Sequence, residues 1–248
     1  MTLDHLQKLV SGTSVDAVWT QHCAQMAAFG FDRLLYGYSR LANAASFGDR
    51  QDALILSNHD PDYLDRYLAE DLLRTDPVIQ WAEASDGALS WREIAGHDVA
   101  GSNGAALPPI QALNREFGIA AGYTISFRNL AHRAFGAISL TGAPGQTQQD
   151  LDGIWAAHGA EIVLMNRVMH LTVTKLPAPD SNRLTKRQRE VLEWVAQGKT
   201  IPEICVLIGR KQATVEKHLR LAREAMNAQT TAQAVLKASV QNQIFTYR

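Results

Sequence analysis

The stretch "GKTIPEICVLIGRKQATVEKHLR", residues 198–220, decides the architecture of the C-terminal part of the chain. It holds two helix starts separated by only a few residues. Thr200 is a candidate N-cap, Glu203 follows as its capping-box partner, and Pro202 falls in the first turn, where a missing N–H costs no hydrogen bond. Ile204, Leu207 and Ile208 form an inward apolar stripe, and Gly209 supplies the left-handed residue that closes such a helix. The next helix is predicted from near Gln212, with Val215, Leu219 and Ala222 inward. A short helix, a glycine turn and a basic amphipathic helix make a helix-turn-helix.

Outward from that stretch, Thr185 and Gln188 form another capping box, Val191, Leu192 and Val195 give an apolar stripe, and Gly198 ends the helix. A further helix fits the small-residue run "TTAQAVLKA", so four helices cover residues 185–240. Charge sets this part apart. Residues 181–248 carry 12 Lys and Arg against 5 Asp and Glu, net +7, whereas residues 1–180 carry 12 against 20, net -8. A basic C-terminal part suits a polyanion, and the acidic part does not. On the helix after the turn, Glu216, Lys217 and Arg220 point away from the apolar stripe, towards base edges in a major groove. Lys186, Lys211 and His218 suit phosphates, and Thr214 completes the DNA-facing set.

The stretch "LTVTKLPAPDSNR", residues 171–183, reads as a linker between a domain at 1–170 and one at 184–248. A long helix at 147–171 closes the first domain, and its many apolar positions suit a dimer seam. Residues 14–29, 61–73, 77–84 and 108–117 read as helical, and 96–109 as a surface loop or lid. "RLLYGYS", "ALILSN" and "ALSWRE" read as strands, and "GYTISFRN" with "FGAISLTG" as a hairpin around "LAHRA". The fold class is α+β: an N-terminal α/β/α sandwich with a mostly antiparallel sheet, followed by an all-α helix-turn-helix domain. The two cysteines, Cys23 and Cys205, lack metal spacing and read as reduced thiols of a cytoplasmic protein; no apolar run suggests a membrane span. No nucleophile–base pair or metal-ligand spacing marks an enzyme, and His59, Asp60 and Asp62 are better explained by helix capping than by a metal.

The residues Leu184, Thr185, Arg189, Glu190, Val191, Leu192, Gly198, Lys199, Ile204, Thr214, Val215, His218 and Leu219 closely resemble the DNA-binding domain of LuxR-type regulators. The chain departs from that pattern at Lys211, where the family has a capping serine, and at Asn227, where it has glycine. The cap is worth about 1 kcal/mol; asparagine tolerates the left-handed conformation. A phosphorylated receiver domain is a poor fit upstream, because residues 1–170 contain a single lysine, Lys8.

"PDYLDRY", "TDPVIQWA", "LSWRE", "EFGIAAGYTIS" and "FGAISL" resemble the acyl-homoserine-lactone-binding domain of quorum-sensing regulators. The matching ligand-site positions are Tyr63, Tyr67, Asp76 with Pro77, Trp91 and Gly122, with Tyr63 standing where the family has Trp. The resemblance implies that Asp76 accepts the ligand amide N–H, that Tyr67 and Trp91 form walls, and that Ser139 and His59 add polar contacts. A phenol at Tyr63 could replace the indole as donor to the lactone carbonyl. The resemblance implies no cofactor. Its partners are the autoinducer, a near-palindromic operator, a second copy of the chain, and RNA polymerase. A non-lactone ligand, or DNA binding without a ligand, is the alternative. Taken without the resemblance, Tyr67 and Trp91 read as core aromatics, Asp76 as the cap of a helix starting at Pro77, and Gly122 as a packing glycine.

Overall fold

The computed structural model describes residues 2–39, 53–94, 109–128, 134–176 and 184–245. The chain divides into two compact units, Met1–Thr174 and Lys175–Arg248.

The first unit is built on a five-stranded sheet in the order β2-β1-β5-β4-β3. Its strands are β1 (Phe31–Ser39), β2 (Ala53–Ser57), β3 (Gly87–Ser90), β4 (Gly122–Ser126) and β5 (Phe135–Gly142). Every described pairing is antiparallel. Because side chains alternate across a strand, the register assigns each residue to a face. Tyr36 opposite Ile138, and Tyr123 opposite Leu140, share one face; Leu35 opposite Ser139, and Thr124 opposite Ser139, share the other.

The first face is covered by α1 (Thr2–Val10), α2 (Val15–Ala27) and α6 (Gln148–Val173). Trp155 of α6 stacks on Tyr123 at 3.9 Å and folds back over Gly159, where a Cβ would meet its indole at 2.7 Å. Tyr36 bonds His170 Nδ1 at 2.9 Å. A buried polar chain crosses the three helices: His5 Nε2 lies 3.3 Å from His22 Nδ1, and His22 Nε2 lies 3.0 Å from Asn166 Oδ1. Asn166 Nδ2 in turn donates to the Ile162 carbonyl at 2.8 Å.

The second face is covered by α3 (Pro61–Ala69), α4 (Pro77–Ala84) and α5 (Pro109–Glu116). Here Tyr63, Tyr67, Val78, Trp91, Ile110, Leu113 and Ile119 form one apolar cluster. Ser126 donates to the Ala82 carbonyl at 2.8 Å and ties β4 to α4.

Several boundaries differ from the sequence reading. The segment "ALSWRE" is strand only to Ser90; Trp91–Glu93 turns as a single 3-10 turn that carries the indole under the sheet. The helix predicted over 61–73 stops at Ala69, Asp71 is left-handed with φ 53°, and a 3-10 turn follows at Leu72–Arg74. The closing helix runs to Val173, three residues into the stretch read as linker; 177–183 lie outside the described residues. The loop read at 96–109 also lies outside them, apart from Pro109, which begins α5, as does most of "LAHRA". The helix α1 has no counterpart in the sequence reading.

The second unit holds α7 (Lys186–Ala196), α8 (Ile201–Ile208), α9 (Gln212–Ala225) and α10 (Thr231–Val240). Its core is Leu184, Val191, Leu192, Ile204, Val215, Leu219, Ala222, Met226, Ala234, Ala238 and Ile244. Thr185 N–H donates to Gln188 Oε1 at 2.7 Å, and Thr200 N–H to Glu203 Oε2 at 2.8 Å, the expected capping-box bonds. Leu207 was expected inward but is 50 % exposed, because Ile204 and Ile208 already occupy the stripe that faces α9.

Candidate ligand pocket and nucleic-acid interface

Two small hollows lie under the second face of the sheet, each with room for about one water, about 20 Å³. One is polar, lined by His59, Tyr63, Tyr67, Asp76, Val78, Trp91, Asn114 and Thr141, together with Leu35 and Ser139. The other is apolar and includes Ile55, Leu68, Leu73, Ile79, Phe135 and Ala137. Leu35, Tyr67 and Ser139 line both, so they form the shared wall. All six residues expected at the ligand site are therefore together.

Their geometry follows from local structure. Asp76 is the N-cap of α4, with Pro77 in its first turn, and its Oδ1 accepts from Val78 N–H at 2.9 Å. Its Oδ2 accepts from Tyr67 O–H at 3.0 Å. Capping and lining the hollow are thus one position with two duties. A carboxylate offers about four acceptor sites, so Asp76 keeps capacity for another donor. Burial pushes its carboxyl up to about 6, against the pull of the Val78 and Tyr67 bonds, and pushes the Tyr67 phenol well above its usual range.

His59, Tyr63 and Tyr67, spaced by four along α3 and the residue pair before it, stack in a row with centroids 4.9 and 5.9 Å apart. Burial lowers His59 to about 4, which keeps its ring neutral. Tyr63 donates its hydroxyl to Asn114 Oδ1 at 3.0 Å, so that proton is already used within the wall. Trp91 donates from Nε1 to Thr124 Oγ1 at 2.9 Å, and Thr124 Oγ1 lies 3.0 Å from Ser139 Oγ. Gly122 is a packing requirement: a Cβ there would meet the Trp91 ring at 2.8 Å and the Leu140 carbonyl at 2.6 Å.

Asn114, Thr124, Thr141 and Leu35 were missed from sequence. The available signals were polar residues at alternate positions on apolar strands, Thr124 with Ser126 and Ser139 with Thr141, and a lone Asn among the inward residues of α5. Asp60, suspected of capping, caps α3 through Asp62 N–H at 2.9 Å; among the described residues no group of three His, Cys, Asp or Glu could hold a metal. Cys23 and Cys205 are free, and burial raises the Cys23 thiol to about 12. No described helix is long and apolar enough to cross a membrane.

In the second unit, Val215, Leu219 and Ala222 bury one stripe of α9, while Glu216, Lys217 and Arg220 stand exposed on the other. Arg220 pairs with Glu224 at 2.6 Å and Glu216 accepts from Gln212 at 2.8 Å. Lys186 and Lys211 are exposed; Thr214 and His218 are half-buried. An open groove of about 520 Å³ runs past Glu216, Lys217, Arg220 and Arg223. Lys211 is the N-cap of α9 and makes no side-chain capping bond, as its departure from serine implies. Asn227 takes up the left-handed conformation, φ 44°, after α9.

Residues 14–173 match the autoinducer binding domain family, and residues 182–238 match the bacterial regulatory proteins of the luxR family. The chain is 33% identical over 188 residues, 75% of this chain and 73% of the other, to the quorum-sensing-dependent transcriptional regulator RpaR of Rhodopseudomonas palustris. Its fold is similar to that of CepR2 from Burkholderia cenocepacia, an N-acylhomoserine-lactone-dependent transcription factor (TM-score 0.54, 19% identity, 69% of this chain and 93% of that one). It is also similar to SdiA in complex with octanoyl-rac-glycerol (TM-score 0.52, 20% identity, 99% and 96%). A buried carboxylate under an antiparallel sheet and a basic helix-turn-helix are thus joined in a chain that belongs to the LuxR family of transcriptional regulators, with an autoinducer-binding domain ahead of its DNA-binding domain and no enzymatic role.

Proposed function

We propose that this regulator senses an N-acyl-homoserine lactone. The observation that carries the reading is the junction of the polar and apolar hollows at Tyr67, Leu35 and Ser139, with Asp76 beside it. Asp76 accepts the amide N–H, a charge-assisted bond worth roughly 1.5–3 kcal/mol. The acyl tail enters the apolar hollow, where each buried CH₂ contributes about 0.8 kcal/mol. Pockets for such ligands span roughly 300–1,000 Å³, so Leu35 and Tyr67 move apart as the tail enters. Binding is then coupled to repacking of the second face, and it stabilises the folded chain by about 2.7 kcal/mol at a hundredfold excess over Kd.

The liganded chain acts as a cytoplasmic homodimer, whose two copies of α9 enter successive major grooves of a near-palindromic operator and position RNA polymerase. The exposed face of α6, with Leu164 48 % and Leu171 42 % exposed, supports that assembly.

Calorimetry with N-octanoyl-homoserine lactone tests the sensor half. Asp76→Asn should weaken binding about 10- to 100-fold, while the melting temperature of the ligand-free protein changes little. Equal affinity for both proteins would remove Asp76 from the contact set. For the DNA half, Arg220→Ala should weaken operator binding by about 1–3 kcal/mol and relax sequence preference; unchanged footprints would place base reading elsewhere on α9.

A further inference from the structure

In the family pattern the residue at position 63 is a tryptophan, whose indole N–H is a natural donor to a head-group carbonyl. Here it is Tyr63, and its single hydroxyl proton is given to Asn114 Oδ1 at 3.0 Å. A hydroxyl has one proton, so Tyr63 has none left for a guest. Asn114, 4 % exposed and on the inward side of α5, lines the polar hollow and carries two N–H groups on Nδ2 besides the Oδ1 that Tyr63 occupies. Thr141, 1 % exposed, lines the same hollow, and its hydroxyl has no partner among the described residues. Buried polar groups are nearly always paired. An unpaired hydroxyl and a carboxamide N–H pair in one hollow, next to a carboxylate with spare acceptor capacity, mark a binding surface.

We infer that Asn114, and not Tyr63, donates the hydrogen bond to the head-group carbonyl of the acyl signal, with the Thr141 hydroxyl as a second contact at the same end. The inference rests on the acyl-amide reading and adds the head-group donors to it. Tyr63 acts as a positioning residue: by donating to Oδ1 it fixes the carboxamide so that Nδ2 is the free end. Ser139 and Thr141 lie two residues apart on one face of β5, about 7 Å along the strand. Ser139 therefore belongs at the shared wall, and Thr141 at the head of the ligand. The assembled set is an acceptor for one N–H, Asp76, and donors for head-group oxygens, Asn114 and Thr141. That complements an amide bearing an oxygen-rich ring.

The test uses the full-length chain and two probes, N-octanoyl-homoserine lactone and N-cyclopentyl octanamide, which keeps the ring size and the amide but lacks the ring carbonyl and ring oxygen. Wild type should bind the lactone at least tenfold more tightly. Asn114→Leu should lose tenfold or more of lactone affinity and leave the cyclopentyl amide within about twofold, which brings the two probes together. Tyr63→Phe should cost the lactone less than Asn114→Leu does. If Asn114→Leu folds poorly, Asn114→Ala keeps the helix, removes the N–H groups without adding a donor, and should show the same loss. The inference falls if either Asn114 variant keeps the wild-type preference, if Tyr63→Phe alone abolishes it, or if wild type binds both probes equally; in each case acyl-amide sensing stands. If wild type binds neither probe, the acyl-amide reading falls and takes this inference with it.

Discussion

The two faces of the central sheet are made from the same kinds of residue, aromatics and buried polar side chains, yet they are finished differently. Under α1, α2 and α6 one set of buried polar groups closes on itself: His5, His22 and Asn166 form a chain that ends on a backbone carbonyl. Under α3, α4 and α5 they do not close: Asp76 keeps spare lone pairs, and Thr141 has no partner among the described residues. Burial and residue type are alike on the two sides. Satisfaction of hydrogen-bonding capacity is what separates a core from a site.

The largest effect expected from breaking that contrast is on the closed face. Asn166→Leu leaves the His22 Nε2 group unpaired at full burial and should cost about 1–3 kcal/mol of stability. Urea unfolding measures it, and a loss below about 0.5 kcal/mol would mean that the chain contributes little.

An intermediate effect comes from pH. Burial holds His22 and His59 near 4, below the 6.5 or so of an unfolded histidine. Between those values the unfolded chain binds more protons, so this stability is present above about pH 6.5 and is lost as pH falls towards 4. Asp76 works in the other direction: raised to about 6, it takes up its proton in the folded state first and adds stability as pH falls. On the open face His59 and Asp76 therefore oppose each other, and on the closed face burial lowers both His22 and the His5 bonded to it, so the acid sensitivity centres on that pair. The urea midpoint should fall between pH 6.5 and 4.5, and His22→Gln should flatten that slope. A slope that survives in His22→Gln and vanishes in His59→Gln would reverse the assignment. The smallest effect sharpens the contrast. Thr141→Val removes a hydroxyl with no described partner, so it should change stability by less than about 1 kcal/mol while weakening lactone binding. A marked drop in melting temperature would show that the hydroxyl supports the fold.

The two units also differ in how much of them could be read in advance. The second unit is specified locally. Thr185 with Gln188, Thr200 with Glu203, and the left-handed Gly198 and Gly209 stand within a few residues of what they terminate, so four helices and the exposed stripe of α9 follow from short windows. Even there Leu207 misled, since spacing alone does not reveal which of two adjacent apolar residues a neighbouring helix covers. In the first unit the strands and most helices were legible from periodicity, but the site is assembled from distant segments. Tyr63 and Asn114 are 51 positions apart, and Trp91 and Thr124 are 33 apart. No local rule reports that a phenol has already used its proton on a residue of another helix. The six site residues came from resemblance to a known pattern; Asn114, Thr124 and Thr141 lie outside that pattern and needed the fold to bring them in.

The wall formed by Leu35, Tyr67 and Ser139 has a consequence for discrimination. A signal that fills both compartments must be slender where it crosses from one to the other. On the proposed lactone reading, straight-chain compounds of different reach are accommodated by how far they extend beyond the crossing, whereas a branch placed there demands a further displacement of a tyrosine that is itself tethered to a helix cap. On that reading the pocket gauges girth at one point more strictly than it gauges length.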